Sequence, residues 1–134
     1  MSKMILCVDD DFITCTLHEI LLLEAGICKE VYVKKNGEEA LQYLEIAAQL
    51  GDIAAKMPSL ILLDINMPVM DGWQFLTQLQ STSYEVLKTI PVVLCSSSEH
   101  PSDQLQAKSF EQVKAFICKP LEEKSLAIIQ QLLS

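Results

Sequence analysis

The stretch Ser59–Gly72, SLILLDINMPVMDG, sets four large apolar residues against a carboxylate and follows them with two turn signals. Leu60–Leu63 has no polar alternation, the mark of a strand buried on both faces of a parallel sheet. Asp64 closes the run. Met67-Pro68 and Asp71-Gly72 then supply turn chemistry ahead of Phe75, Leu76 and Leu79, which fall at helical spacing. A strand, a loop and a helix in that order make one β/α unit.

Working outward, the same plan recurs. Met4–Val8, Val92–Cys95 and Ala115–Cys118 are further continuous apolar runs. Val31–Val33 is shorter and runs into Lys34-Lys35, as suits an edge strand. Helical patterns fill the gaps. Ile13, Leu17, Ile20 and Leu21 form an apolar stripe ending near Gly26. Ala40, Leu41, Leu44, Ala47 and Ala48 form a second after Asn36-Gly37. Leu105 and Phe110 mark a weak helix around Ser102–Gln112, and Leu126, Ile129 and Leu133 a last one. Five strands alternating with five helices predict an α/β sandwich with right-handed crossovers.

The 134 residues are half hydrophobic, enough for one domain with its own core. No run of 18 apolar residues and no leader pattern is present, so neither a membrane span nor a signal peptide is expected. The five cysteines include no C-x-x-C pair. Cys7, Cys95 and Cys118 lie inside apolar runs, so reduced thiols and a cytoplasmic setting are expected rather than zinc or a disulfide framework. The ten basic residues are all Lys, against 18 acids. Without Arg forks or a basic patch, direct nucleic-acid binding is not expected.

In parallel β/α sheets the site lies at the carboxyl ends of the strands. Here the first strand ends in Asp9-Asp10, the third in Asp64, the fourth in Ser96 and the fifth in Lys119. Asp11 reads as a helix N-cap. Two carboxylates about 4 Å apart repel by roughly 4 kcal/mol at an effective dielectric near 20. Asp9, Asp10 and Asp64 in one pocket therefore call for a cation. Mg²⁺ fits best, because it takes few carboxylates and leaves room for phosphate oxygens. The residues after Asp11 lack the glycine and glutamate frame of an EF-hand.

Taken together, VDDD at Val8–Asp11, LLDINMPVMDG at Leu62–Gly72, Ser96 and Lys119-Pro120 give a chain that resembles the receiver domain of two-component response regulators over essentially its full length. The resemblance implies a flavodoxin-like (βα)5 three-layer sandwich, its five-stranded parallel sheet in the order 2-1-3-4-5. It implies that Asp64 accepts a phosphoryl group from a histidine kinase or histidine phosphotransfer protein. Asp10, Asp64 and the backbone carbonyl of Asn66 would ligate Mg²⁺, with Asp9 helping through water. Lys119 and Ser96 would hold the phosphoryl oxygens, and Ser96 and Phe116 would carry the switch. Residues 1–134 would be receiver domain without an output domain, acting on a downstream protein or a phosphorelay.

Three features depart from the family pattern. Ser97 stands where a small apolar residue is usual, Phe116 where Tyr is frequent, and Glu45–Pro58 is longer than the usual passage into the third strand. Two other readings fit parts of the pattern. A haloacid-dehalogenase-like phosphohydrolase would need an acid two residues after its nucleophile, and that position is Asn66. A docking module that is never phosphorylated would carry the buried charge at a cost to stability and for no purpose.

Overall fold

The computed structural model describes residues 3–51, 55–97 and 100–134. Its elements are β1 (Met4–Val8), α1 (Phe12–Glu24), β2 (Glu30–Lys34), α2 (Gly37–Leu50), β3 (Leu60–Asp64), α3 (Gly72–Ser81), a 3-10 turn (Glu85–Thr89), β4 (Val92–Ser96), α4 (Pro101–Ala107), β5 (Val113–Cys118) and α5 (Glu123–Leu133). The strands form one parallel sheet in the order β2-β1-β3-β4-β5. Every residue of β1, β3 and β4 is buried, whereas β2 and β5, at the edges, are largely half-exposed. That difference is why the three central strands read as unbroken apolar runs.

Alternate side chains of the central strands feed two cores. Met4, Leu6, Val8, Ile61, Leu63, Val92 and Leu94 pack with Ala40 and Leu44 of α2 and with Phe75, Leu76 and Leu79 of α3. On the other face Ile5, Cys7, Leu60, Leu62, Val93 and Cys95 pack with Leu22 of α1 and with Ile129 of α5. Helices on both faces of one sheet make the three-layer sandwich.

The elements stand where the sequence places them, with three differences. The buried stripe of α1 is Cys15, His18 and Leu22, while Ile13, Leu17 and Ile20 are exposed and Leu21 is half-buried. This helix is apolar on more than one side, so spacing identified a helix without fixing its phase. The weak fourth helix stops at Ala107, and the chain then turns into a fifth strand two residues longer at its start than expected. The 3-10 turn carries one buried anchor, Leu87, and has no helical periodicity. The long segment Glu45–Pro58 continues α2 to Leu50 and then caps it at Gly51; residues 52–54 lie outside the described residues. Among the described residues no helix is long and apolar enough to cross a membrane.

Candidate phosphoacceptor site

Each strand-end residue is held by a local device. Asp11 caps α1, its carboxylate accepting from the Ile13 N–H at 3.1 Å and from the Thr14 hydroxyl at 2.7 Å. The Asp11 N–H in turn donates to Asp9 Oδ1 at 2.9 Å. The run of three acids thus divides its labour: Asp11 starts the helix, Asp9 turns inward and is buried, and Asp10 faces solvent.

The loop after β3 is shaped by glycine. A Cβ on Gly72 would lie 2.7 Å from the Asp64 carbonyl oxygen and 2.9 Å from Ile65 Cα, closer than backbone can tolerate. Glycine there lets α3 begin against the strand end that carries Asp64. The Gly72 N–H donates to the Ile65 carbonyl at 2.8 Å. Asp71 and Gln74 close a reciprocal capping box on the same helix. Met70 then joins the loop to α2, its carbonyl accepting from the Gly37 N–H at 3.1 Å. Between these anchors Val69 sits at φ 70°, a strained conformation for a β-branched residue.

At the mouth of the sheet, carboxylate oxygens of Asp9, Asp10 and Asp64 lie within 4.8 Å of one another. Lys119 Nζ stands 2.7 Å from Asp9 Oδ2 and 3.1 Å from Asp64 Oδ1. The Lys119 backbone N–H donates to the Ser96 carbonyl at 2.8 Å, which ties the end of β5 to that of β4. Asp9, Asp64 and Lys119, from the ends of three strands, therefore meet in one pocket with Asp10 at its rim, and the buried Ser96 at the end of β4 is tied to it through the Lys119 backbone. Phe116 lies a few residues back along β5, opposite Leu94, and packs against the α2–α3 core. Asn66 is exposed, and its N–H donates to the Asp64 carboxylate. Ser97 is exposed; Ser98 lies outside the described residues.

Electrostatics follow from that crowding. Burial, and then the Asp9 charge, push the Asp64 carboxyl up to about 6, against the opposing pull of Lys119 and of the Asn66 N–H. Burial alone would lower the Lys119 ammonium, but its hydrogen bond to Asp9 and the charge of Asp64 hold it above its ordinary value. Three carboxylates and one ammonium leave a net charge of two negatives when all are ionised. A compact set of hard oxygens, two charges short of neutrality and open to water at Asp10, fits a hard divalent cation such as Mg²⁺. The thiols beside the pocket do not compete for that role. Burial pushes Cys15 and Cys95 up to about 12, so both stay protonated at neutral pH.

The sequence did not disclose the double engagement of Lys119, because the distance between residues 9, 64 and 119 exists only in the fold. It also missed the Gly37–Met70 contact, although Gly37 directly after an Asn cap was a visible signal.

Comparison with known proteins places this arrangement. Residues 5–130 match the response regulator receiver domain family. The response regulator Rcp1 of Synechocystis sp. is 30% identical over 124 residues, which span 92% of this chain and 81% of Rcp1. A two-component response regulator from Cytophaga hutchinsonii superposes with a TM-score of 0.85 at 28% identity, covering 98% of this chain and 96% of the other. A phosphorylated cyanobacterial phytochrome response regulator, RcpA, gives 0.79 at 29% identity, covering 98% and 91%.

Proposed function

The chain belongs to the response regulator receiver domain family, and on that premise we propose that Asp64 is its phosphoacceptor. Members of this family are phosphoacceptor signalling switches rather than enzymes in the ordinary sense; they work with histidine kinases or phosphotransfer proteins and bind Mg²⁺ at an acidic pocket. In this reading Asp10, Asp64 and the Asn66 carbonyl hold the metal, and Asp9 assists through water. The observation that carries it is Lys119, whose ammonium contacts Asp64 and Asp9 together inside a pocket that remains two charges negative.

The chemistry is a displacement at phosphorus. An Asp64 carboxylate oxygen forms the new P–O bond while the donor histidine's N–P bond breaks, its electron pair leaving with the imidazole. The raised Asp64 carboxyl is ionised above about pH 6 and so is a nucleophile at neutral pH. Lys119 then turns from the carboxylate to the equatorial phosphoryl oxygens, whose growing charge it neutralises. Mg²⁺ held by Asp10, Asp64 and the Asn66 carbonyl would supply further charge neutralisation. The Ser96 hydroxyl donates to the new acceptor oxygens. Because Lys119 and Ser96 share a backbone hydrogen bond, movement at one strand end is felt at the other. Phe116 repacks with that movement; lacking a phenolic hydroxyl, its inward state is held by packing alone.

Self-catalysed phosphotransfer and dephosphorylation are then the only reactions of this chain. Signalling passes through phosphorylation-dependent binding or onward transfer in a relay. The buried thiols Cys7, Cys15, Cys28 and Cys95 support a reducing cytoplasmic setting. The test is labelling with acetyl phosphate and Mg²⁺, followed by hydroxylamine. The expected label is Mg²⁺-dependent and released by hydroxylamine, as an acyl phosphate requires. A label that resists hydroxylamine would lie on a hydroxyl and refute the assignment.

A further inference from the structure

Among the described residues of α4, Ala107 alone is buried, and the helix's large apolar side chain, Leu105, is 70% exposed. A helix so thinly packed needs an anchor outside its own length. Phe110 supplies it. Its N–H donates to the Ala107 carbonyl and its carbonyl accepts from the Val113 N–H, both at 3.1 Å, so it is the joint between α4 and β5. Its buried ring stacks on Trp73 of α3, with centroids 6.0 Å apart and planes inclined by 19°. That separation lies in the range over which aromatic pairs attract. Trp73 in turn directly follows Gly72, where α3 starts against the Asp64 carbonyl so closely that no side chain fits. The indole also packs on the α2–α3 core, as Val113 and Phe116 do.

We infer that the Trp73–Phe110 stack is a second coupling route, running from the Asp64 loop through α3 to the seat of α4, apart from the one through Ser96 and Phe116. The inference rests on Asp64 as phosphoacceptor. A phosphoryl group on Asp64 displaces the β3–α3 loop, and the Gly72–Ile65 hydrogen bond holds the start of α3 to that loop. Trp73 moves with it. Close-packed rings do not deform continuously, so Phe110 either follows the indole or parts from it. In both cases α4 is re-seated, because Phe110 is what fastens its end.

The experiment compares the full chain with Trp73→Leu, Trp73→Phe and Phe110→Leu, each treated with acetyl phosphate and Mg²⁺ and checked for its label by intact mass. The readout is the change in amide NMR shifts across Lys108–Val113. Both leucine variants stay apolar but lose the stack, so these changes should fall at least about twofold while those around Asp64 persist. Trp73→Phe restores a ring and should keep most of the change. Full-sized changes in either labelled leucine variant overturn the route. Equal losses in Trp73→Leu and Trp73→Phe overturn it as well, since side-chain size alone would then account for them. The parent gives a reading that needs no variant, because Trp73 is the chain's one tryptophan. Its emission should change on phosphorylation beyond any change with Mg²⁺ alone, and constant emission from labelled parent contradicts the route while leaving the phosphoacceptor standing. A parent that takes no label removes both.

Discussion

Asp64 occupies a position that costs the fold stability, buried beside a second carboxylate. In an unfolded chain an aspartate titrates near 4, whereas here burial and the neighbouring Asp9 hold it at about 6. The folded state therefore keeps a proton that the unfolded chain releases between those values. The stability tied to that proton is complete below about pH 4 and is lost as pH rises through about 6. Without metal, Asp64→Asn should accordingly raise stability at pH 8 by roughly 2–3 kcal/mol, with the gain vanishing near pH 4. Denaturant unfolding at the two pH values measures it; a variant no more stable than the parent at pH 8 would contradict the electrostatic reading. Asp10 is exposed, so Asp10→Ala should weaken Mg²⁺ binding, read by titration, while changing metal-free stability by less than Asp64→Asn. The candidate residues were legible in the sequence because each stands directly after an apolar run. What Lys119 touches was not, since one ammonium between two carboxylates is a fact of tertiary distance.

Among the elements, the loop from β3 into α3 fixes the site most tightly. At Gly72 an added methyl group meets backbone at 2.7 and 2.9 Å, whereas at Gly37 it meets the flexible Met70 side chain at 2.9 Å and the Met70 carbonyl oxygen less tightly, at 3.0 Å. Gly72→Ala should therefore cost at least about 2 kcal/mol and Gly37→Ala distinctly less. Thermal unfolding of the two variants checks the order; equal losses would mean that the strand-to-helix contact is not the limiting one. Strands and caps were readable here because burial on both faces and Asp or Asn at a helix start are local properties. The buried face of α1 was not. Leu21, Leu22 and Leu23 are consecutive, and only packing against the sheet selects Leu22, with Cys15 and His18, for the interior. The 3-10 turn escaped notice because a single apolar anchor has no period.

Across the whole molecule, the site and the β5 edge are joined through the hydrogen bond between Lys119 and Ser96. In the proposed switch the Lys119 cation would leave Asp64 when a phosphoryl group arrives, Ser96 would follow the new oxygens, and Phe116 would repack beside the groove it lines with Ala107, Val113 and Ala115. Phosphorylation shifts such an equilibrium only by its differential contacts with the two states. Ser96→Ala should therefore still accept phosphate on Asp64 yet show reduced NMR shift changes along α4, β5 and α5. Full-sized distant changes would assign the coupling to another group, such as the Ser97 hydroxyl. The sheet order and the Ser96 and Phe116 switch positions were implied by the family resemblance, but the Lys119–Ser96 hydrogen bond was not legible, because it is a contact between residues distant in sequence. The phosphoacceptor itself is tested most directly by intact-mass measurement of the parent and Asp64→Asn after incubation with acetyl phosphate and Mg²⁺. The parent should gain the mass of one phosphoryl group and Asp64→Asn none; equal gain in the two proteins would contradict the assignment of Asp64.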